Sequence, residues 1–498
     1  MLTRRMLSSA AHVAKNTPDH GRVLTVDKLS PAILNAEYAV RGELVIRAGK
    51  LESEGRKIIY CNIGNPHQLG QKPITFFRQV LAATQYPELI SSSGLAEDAK
   101  ARAAEYLANI PGGTGAYSHS QGIPIVRKQV ADFITARDKV AAKADPEEIF
   151  LTDGASPGIQ RVLSLLIDPT LPFSSKAATG KARKHGILIP IPQYPLYSAS
   201  ITLLGGAQVG YELDEERGWE LSIDSMKKQV TAARAQGIEP RAIVVINPGN
   251  PTGQCLSAQN VAEVINFAEQ EGLVVLADEV YQVNTYRADR PFVSFKAEAV
   301  KNKSHVELFS FHSVSKGVLG ECGRRGGYFE CYNIDGAVKE QLYKLASVSL
   351  CSNVDGQIMT GLMVQPPKKG DPSFAQYNAE VSELYASLAR RAKTLTAALD
   401  GLHGMSCNFT EGALYAFPQV MLPAKAVAAA KAAGKNPDTF YCLQMLEETG
   451  ICVVPGSGFG QKNGTFHFRT TILPQESVMS QVVEKIANFH NSFIKKYE

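Results

Sequence analysis

Short apolar runs recur through the middle of the chain, from about residue 145 to 330. Each run is brief, rich in β-branched side chains and bounded by Gly, Pro or Asp, which is typical of a strand buried on both faces. The runs that predict strands are 149–151, 187–189, 242–246, 273–276 and 306–309. Helical patterns separate them, so the segment predicts an α/β fold with a mostly parallel sheet and helices on both faces.

Two further segments predict helices by their composition and their ends. Over 257–272, Ser257 can cap the N-terminus, apolar residues recur at helical spacing and Gly272 can supply the left-handed stop. The segment 375–402 is rich in Ala, Leu, Glu and Arg and has no Gly or Pro until Gly401, which predicts one long helix.

The rest of the C-terminal part mixes short strands with helices. Strands are predicted near 417–420 and 466–468, and a last helix from about Gln475, so this part predicts a smaller α+β domain. The stretch 174–186 is polar, basic and contains Gly, which predicts a surface loop without an assigned role.

Composition excludes several classes of protein. The 498 residues include 52 Lys and Arg against 48 Asp and Glu, and this formal charge of +4 is too small for a general nucleic-acid binder. No run approaches eighteen consecutive apolar residues, so no membrane span is predicted. The eight cysteines are scattered without a C-x-x-C pair, which predicts reduced thiols and neither a zinc ribbon nor a disulfide framework.

The positive charge is concentrated at the N-terminus. Residues 1–18 contain Arg4, Arg5 and Lys15, several small residues and no acid before Asp19. This composition predicts a mitochondrial transit peptide and a mitochondrial matrix location, with a cytoplasmic tail as the alternative. Without these three charges the remaining chain carries +1.

Polar clusters follow four of the predicted strands, at the sheet edge where open parallel sheets bind ligands. The first strand leads into a small-residue turn and a helical pattern, whose N-terminus can hold a phosphate. The next clusters are the rigid turn 247–253, then Asp278, and finally Lys316 with arginines eight and nine residues later. Each cluster alone also fits a structural turn, a helix cap or a surface lysine.

Taken together, the four clusters describe one ligand. It is anionic where a helix N-terminus, Ser313 and an arginine meet it, cationic opposite Asp278, and reactive toward the amine of Lys316. Pyridoxal phosphate combines a phosphate, a pyridinium nitrogen and an aldehyde that forms a Schiff base with an amine.

The motifs around these clusters resemble those of the fold-type I pyridoxal-phosphate aminotransferases, and among them the alanine aminotransferases. The resemblance extends from about residue 21 to the C-terminus. The motifs that carry it are 63–67 (IGNPH), 115–118 (GAYS), 153–156 (DGAS), 192–197 (PQYPLY), 247–253 (NPGNPTG), 278–281 (DEVY), 313–317 (SVSKG), 320–323 (GECG) and 468–471 (FRTT). The stretches 62–68 and 320–323 favour the alanine branch over the aspartate and aromatic branches.

The resemblance implies an aspartate-aminotransferase-like fold. A large domain with a mostly parallel, seven-stranded-type sheet between helices is joined to a smaller α+β domain. It implies a targeting segment over 1–20, an N-terminal arm and part of the small domain over 21–74, the cofactor-binding domain over 75–374 and the small domain over 375–498. It also implies a homodimer whose active site is shared between subunits.

The resemblance assigns roles around the cofactor ring. Lys316 carries the cofactor as a Schiff base and moves the proton between the substrate Cα and the cofactor. Asp278 pairs with the pyridine nitrogen, which keeps the ring an electron sink. Asn250 and Tyr281 hydrogen-bond the phenolate oxygen, and Tyr194 stacks on the ring face.

Other residues are assigned to the phosphate. Ala155 and Ser156 offer backbone N–H groups, and Ser156, Ser313 and Arg325 complete the cradle. Tyr117 reaches the phosphate from the other subunit.

Arg469 is assigned to the substrate α-carboxylate, and Gly64 lets the backbone approach it. The family places the phosphate arginine two residues before a Gly-aromatic pair, here 327–328, which selects Arg325 over Arg324.

The implied reaction is ping-pong transamination of L-alanine and 2-oxoglutarate to pyruvate and L-glutamate. Aminotransferases acting on glyoxylate, kynurenine or aromatic substrates stay open as alternatives, as do β-eliminating lyases, because the side-chain pocket decides among them. A non-catalytic cofactor-binding regulator is a further alternative, against which the intact Lys316, Asp278 and Arg469 argue. A serine acyl-transfer enzyme is excluded, because the Ser-Asp-Asn and Lys-Thr-Gly partners of a Ser-x-x-Lys motif are absent.

Overall fold

The computed structural model describes residues 24–38, 42–92, 94–170 and 184–498. The predicted targeting segment and most of the predicted loop 174–186 lie outside these ranges. The end of that loop prediction is wrong, because residues 184–186 already belong to a strand of the central sheet.

Helices and short strands alternate along the described chain. The helices are α1 (Pro31–Asn35), α2 (Glu43–Ser53), α3 (Thr75–Gln85), α4 (Leu89–Ser92), α5 (Glu97–Asn109), α6 (Pro124–Asp138), α7 (Ala155–Leu166), α8 (Pro195–Leu203), α9 (Ile223–Ala235), α10 (Ala258–Glu271), α11 (Phe295–Lys301), α12 (Gly336–Val348), α13 (Val354–Val364), α14 (Phe374–Asp400), α15 (Ala424–Ala432), α16 (Pro437–Thr449) and α17 (Glu476–Tyr497). The strands are β1 (Ile59–Tyr60), β2 (Ile149–Thr152), β3 (Lys184–Ile191), β4 (Ala207–Asp214), β5 (Glu220–Leu221), β6 (Ile238–Ile246), β7 (Val274–Asp278), β8 (Leu308–Ser313), β9 (Gly327–Tyr332), β10 (Met405–Ser406), β11 (Tyr415–Ala416), β12 (Gln419–Val420), β13 (Ile451–Cys452), β14 (Val454–Pro455) and β15 (Phe468–Thr471).

The central sheet contains every strand predicted from the apolar runs. Its order is β2-β9-β8-β7-β6-β3-β4-β5, with β8, β7, β6, β3 and β4 parallel and β9 and β5 antiparallel to their neighbours. It has eight strands rather than the expected seven, because the two-residue β5 extends its edge. The predicted α/β fold of type I is confirmed.

The sheet is covered on both faces, as its buried strands require. One core packs α9, α10 and α11 against side chains such as Ile243 and Val275. The other packs α7, α8 and α12 against the alternate side chains, such as Val244 and Leu276. Successive side chains of β6 and β7 point to opposite faces of the sheet and therefore pack into opposite cores.

The two helices predicted from sequence are confirmed within a few residues. The hydroxyl of Ser257 accepts a hydrogen bond from the backbone N–H of Asn260, and Gly272 ends α10 with a φ of 67°. The long helix α14 has 27 residues and ends at Gly401, and it packs against α17 and α3.

Small sheets join distant parts of the chain beside the central sheet. The N-terminal β1 pairs with β13, and β15 lies between β11 and β14. Segments far apart in sequence therefore meet here, while the exact domain boundaries stay a prediction. In the ranges described, no helix is long and apolar enough to cross a membrane, and all eight cysteines are free.

Candidate active site

The predicted site residues follow the carboxyl ends of the parallel strands and meet the small sheets there. The turn after β2 leads into α7, β6 leads into the turn with Asn250, and β7 ends at Asp278. The strand β8 precedes Lys316, and β15 brings Arg469 from the C-terminal part. The fold therefore brings together residues that are up to about four hundred positions apart.

The Lys316 amine lies in a space bordered by two tyrosines and a glycine. Its Nζ is 3.5 Å from the carbonyl oxygen of Gly64 and 5.8 Å from the ring centre of Tyr281. A Cβ on Gly64 would lie 2.0 Å from Tyr415 Oη and 3.5 Å from Lys316 Nζ, so both groups border the space that this glycine leaves open. No carboxylate of the described chain lies within 4.0 Å of Nζ.

Asp278 is a buried carboxylate that lacks a cation. Its Oδ2 accepts a hydrogen bond of 2.8 Å from the Tyr197 hydroxyl, and its Oδ1 accepts a long one of 3.4 Å from the backbone N–H of Val280. Burial raises the pKa of Asp278 to about 6, although the Tyr197 bond and the charge of Lys316 act in the opposite direction. A buried acid of this kind is stabilised by a protonated nitrogen placed against it.

Arg469 is fully buried and held by neutral groups. Its Nη1 donates to Asn250 Oδ1 at 3.1 Å and its Nη2 donates to the Asn62 carbonyl oxygen at 2.6 Å. Its guanidinium carbon lies 4.1 Å from the ring centre of Tyr415 and 4.7 Å from that of Phe459. Within the described ranges no carboxylate pairs with it, so its charge is available to an anionic ligand.

A second group of donors surrounds the start of α7. The helix begins after Gly154, which has no side chain to cap the first N–H groups and adopts a φ of 90°. A Cβ on Gly154 would lie 2.9 Å from Arg325 Nη2, so the guanidinium lies against this positive helix end. Arg325 Nη1 donates to Ser315 Oγ at 3.3 Å, and the Ser313 hydroxyl donates to the Gly326 carbonyl oxygen at 3.2 Å.

The two neighbouring arginines differ in their partners. Arg324 lies 4.0 Å from the carboxylate of Glu321, which Arg78 also contacts at 2.9 Å. For Arg325, no acid of the described chain lies within salt-bridge distance. Arg325 rather than Arg324 is therefore free to bind an anion beside α7.

Two of the predicted tyrosines lie at the edge of this group. The hydroxyls of Tyr194 and Tyr38 are 3.0 Å apart, so the N-terminal segment touches the predicted stacking residue. Tyr117 is 79% exposed and is not brought into contact with the other predicted residues of the same chain.

Several neighbours of the site were missed from sequence. Tyr415, Phe459 and Asn62 surround Arg469, and Tyr197 binds Asp278. Tyr197 belongs to the quoted motif 192–197, whose helical continuation was the available signal. Tyr415 has no local signal, because it lies beside Tyr281, which is 134 positions away in the chain.

The chain belongs to the aminotransferase class I and II family, whose model matches residues 80–486. A probable mitochondrial alanine aminotransferase of Dictyostelium discoideum is 52% identical over 501 aligned residues, which cover 96% of this chain and 91% of the relative. A glutamate–glyoxylate aminotransferase of Arabidopsis thaliana is 50% identical, and the alignment covers 96% of this chain and 98% of that relative. The solved alanine aminotransferase of Pyrococcus furiosus matches with a TM-score of 0.74 at 25% identity, covering 93% of this chain and all of that one.

Pyridoxal phosphate is the cofactor of this family, and the charges of the site fit it. Among the described residues Asp278 has no salt-bridge partner, and a protonated ring nitrogen would supply the cation. Arg325 and the start of α7 have no acidic partner there, and a phosphate would supply the anion. Arg469 has no acidic partner there either, and the carboxylate of a substrate would fit it.

We expect Gly64→Ala to lower kcat/KM for the amino donor about tenfold, because overpacking a well-packed site costs roughly 1–3 kcal/mol. The added Cβ would collide with Tyr415 Oη at 2.0 Å. Initial rates at varied donor concentration measure the effect, with thermal unfolding as a check of the fold. Gly49→Ala is the matched control, since a Cβ there meets nothing within 4 Å. Equal rates for both variants would contradict the tight packing of Gly64 against Tyr415.

Proposed function

We propose that the protein transfers the amino group of L-alanine to 2-oxoglutarate and yields pyruvate and L-glutamate in a ping-pong reaction. The observation that carries this proposal is the convergence of Lys316, Asp278 and Arg469, three charged groups without a partner of opposite charge in the described chain. The alanine assignment draws on relatives about half identical over nearly the whole chain, which are named alanine aminotransferases.

Bound pyridoxal phosphate supplies an electron sink for the carbanion and a temporary carrier for the amino group. Asp278 keeps a proton on the ring nitrogen by presenting its carboxylate to it. Tyr281 and Asn250 donate hydrogen bonds to the phenolic oxygen, and Tyr194 covers one face of the ring. These four residues orient the ring.

The phosphate is held at the start of α7. The backbone N–H groups of Ala155 and Ser156 and the hydroxyl of Ser156 would donate to it. The hydroxyl of Ser313 would also donate to it after turning away from the Gly326 carbonyl oxygen. Arg325 adds the charge, in a geometry that suits two phosphate oxygens. Tyr117 of the partner subunit donates a further hydroxyl.

Lys316 is the catalytic base and acid. Its amine would hold the cofactor through the aldehyde of that group and would give way to the amine of the substrate. At this position Nζ would then move the proton between the substrate Cα and the cofactor. Gly64 keeps side-chain atoms out of the space in front of Nζ, where the substrate must lie.

Arg469→Ala is expected to raise KM for both the amino acid and the keto acid roughly 10²- to 10⁴-fold, because removing one partner of a buried charge pair costs roughly 3–5 kcal/mol. Both substrates carry the α-carboxylate that Arg469 would bind. Arg469→Lys keeps the charge but loses the two-point geometry, so an intermediate rise is expected. Steady-state kinetics with each substrate varied in turn measure the change.

The surface variant Arg390→Ala is the matched control, since Arg390 pairs only with the exposed acids Glu383 and Glu476. An unchanged KM for either substrate in Arg469→Ala would exclude the proposed role of Arg469.

A panel of amino donors tests the reaction itself. With 2-oxoglutarate as acceptor, alanine should react at least tenfold faster than aspartate, kynurenine and cysteine, as about 1.4 kcal/mol of discrimination would give. The change in the visible absorbance of the cofactor follows each half-reaction separately. If another donor in the panel reacted faster than alanine, the alanine assignment would be refuted.

Glyoxylate is the second candidate acceptor, because two relatives named glutamate–glyoxylate aminotransferases are each 50% identical over 96% of the chain. Comparing kcat/KM for pyruvate, glyoxylate and 2-oxoglutarate against the amino form of the enzyme separates the two functions. A clear preference for glyoxylate over pyruvate would favour this second function.

A homodimer with shared active sites is part of the proposal. Its support is Tyr117, whose exposed ring touches none of the other site residues of its own chain. Light scattering at assay concentration measures the oligomeric state, and a fully active monomer would refute the shared site.

We also propose a mitochondrial location. Relatives from Dictyostelium discoideum and Arabidopsis thaliana are named mitochondrial, while other relatives of similar identity are not. N-terminal sequencing of the mature native enzyme tests it, and an intact Met1 would favour the cytoplasmic alternative.

A further inference from the structure

Tyr415 is a polar residue beside Lys316 and Arg469 to which the proposed function gives no role. Its hydroxyl oxygen is 3.5 Å from the hydroxyl oxygen of Tyr281, and the two rings meet edge to face with their centres 6.1 Å apart. Its ring packs against Arg469, and its hydroxyl borders the space that Gly64 leaves open. Tyr415 thus touches the surroundings of the substrate site, the cofactor site and the lysine together.

The position of Tyr415 is fixed from several sides. The strand β11 pairs with β15, with Tyr415 opposite Thr471, and the Tyr415 carbonyl oxygen accepts the hydroxyl of Thr410 at 2.9 Å. The side chain is 3% exposed. Because this hydroxyl is buried, it cannot donate its hydrogen to bulk solvent and must donate it to a neighbouring protein or ligand atom.

The hydrogen of Tyr281 can serve only one acceptor at a time. In the structure it is given to Tyr415 Oη. Burial alone would raise the pKa of Tyr415, but the charges of Lys316 and Arg469 and this hydrogen bond bring it below its ordinary value. Burial raises the pKa of Tyr281 well above its ordinary value, so Tyr281 is the donor and Tyr415 the acceptor.

The proposed function requires the opposite arrangement. There, Tyr281 gives its hydrogen to the phenolic oxygen of the cofactor. Covalent attachment of the cofactor also consumes the free ammonium group of Lys316, which is one of the charges that favours Tyr415 as an acceptor. The oxygen of Tyr281 then needs a donor, and Tyr415 Oη is the hydroxyl within reach.

We propose that Tyr415 is a positioning residue that donates its hydroxyl hydrogen to Tyr281 in the loaded enzyme and so strengthens the hydrogen bond from Tyr281 to the phenolic oxygen of the cofactor. Hydrogen bonds in a chain reinforce one another by about 10–30% each. This inference rests on the proposed function, because it acts through the role given there to Tyr281.

The pKa of the lysine-bound cofactor, read from its visible absorbance between pH 5 and 10, tests the inference. Tyr281→Phe should raise this pKa by roughly one unit, the value of one hydrogen bond to the deprotonated form. Tyr415→Phe should raise it by about a third of that shift. KM for alanine should stay within about twofold in Tyr415→Phe, because the ring against Arg469 is retained.

The double variant Tyr281→Phe/Tyr415→Phe separates a relay from a direct effect. In a relay it has the same spectral pKa as Tyr281→Phe alone, since Tyr415 acts only through Tyr281. Tyr441→Phe is the matched control: its buried hydroxyl contacts His490 and none of the site residues, so its spectrum should match wild type.

Three outcomes would overturn the inference. An unchanged or lowered pKa in Tyr415→Phe, while Tyr281→Phe shifts, would reject the relay and leave the proposed function intact. A shift from Tyr415→Phe that persists in the Tyr281→Phe background would show direct electrostatics instead. If Tyr281→Phe itself gave no shift, the role of Tyr281 in the proposed function would fail, and the relay with it.

Discussion

Lys316→Ala is expected to abolish transamination, with a loss in kcat of roughly 10³-fold or more, and to remove the visible absorbance of the lysine-bound cofactor. Nζ borders the space before Gly64 and Tyr415, and among the described residues it is the one amine in contact distance of a Cβ built on Gly64. Single-turnover kinetics with alanine and an absorbance spectrum of the purified variant measure the two effects separately.

Two further variants make the Lys316 result specific. Lys316→Arg keeps the positive charge but has a side chain that stays protonated, so it should be nearly as inactive as Lys316→Ala. Lys344→Ala removes an exposed lysine of α12 whose amine contacts only Gln341, and it should leave both rate and spectrum unchanged. Substantial activity in either Lys316 variant, with an unfolding temperature like that of wild type, would show that another group moves the proton.

The central sheet was predictable where burial is uniform along a strand. The runs that predict β6 and β7 are apolar on both faces, and each lies within or beside its strand. The strand β4 was missed because its side chains alternate between buried and exposed, with Gln208 and Glu212 among the polar ones. A strand of that kind differs little from a loop until its neighbours are known.

The strand β9 was missed for a different reason. It begins at Gly327, directly after the arginines that were assigned to the phosphate, so the segment was interpreted only as part of a binding loop. Its burial depends on pairing with both β2 and β8, which are separated from one another by more than 150 residues. Such pairing is a tertiary property and leaves no periodic signal of its own.

The candidate site was predictable to the extent that its residues follow strands. Asn250, Asp278 and Lys316 were selected because a parallel sheet brings the ends of its strands to one edge. Tyr415 could not be selected in this way, because it comes from a two-residue strand of another sheet. The end of a predicted strand can be found from the nearby sequence, so residues at the sheet edge can be selected. The pairing of β11 with β15 depends on the packing of the C-terminal part and cannot be found in that way.

Asp278→Asn is expected to have opposite effects on the loaded and the cofactor-free protein. With cofactor bound, it would remove the carboxylate that is proposed to hold the proton of the ring nitrogen, and the loss of one partner of a buried pair costs roughly 3–5 kcal/mol. This corresponds to a fall in kcat of about 10²- to 10⁴-fold. The exposed Asp224→Asn in the first turn of α9 is the matched control and should keep wild-type activity.

Without cofactor, the same substitution should stabilise the protein above pH 6. The pKa of Asp278 is about 6 in the folded protein against an ordinary 3.8, so the folded state binds this proton more tightly than the unfolded state. The contribution of Asp278 to the free energy of unfolding is therefore largest below about pH 4. It decreases as the pH rises through 6, by about 3 kcal/mol in total. Asp278→Asn has no such loss.

Chemical unfolding of the cofactor-free protein at pH 5 and pH 8 measures the direction of this change in stability. The free energy of unfolding of wild type should fall across the interval by more than that of Asp278→Asn. Tyr197→Phe removes the hydrogen bond that lowers the pKa of Asp278, so it should enlarge the fall. If Asp278→Asn were instead less stable than wild type at pH 8, the carboxylate would already have a cation in the free protein, and its role as the partner reserved for the ring nitrogen would be wrong.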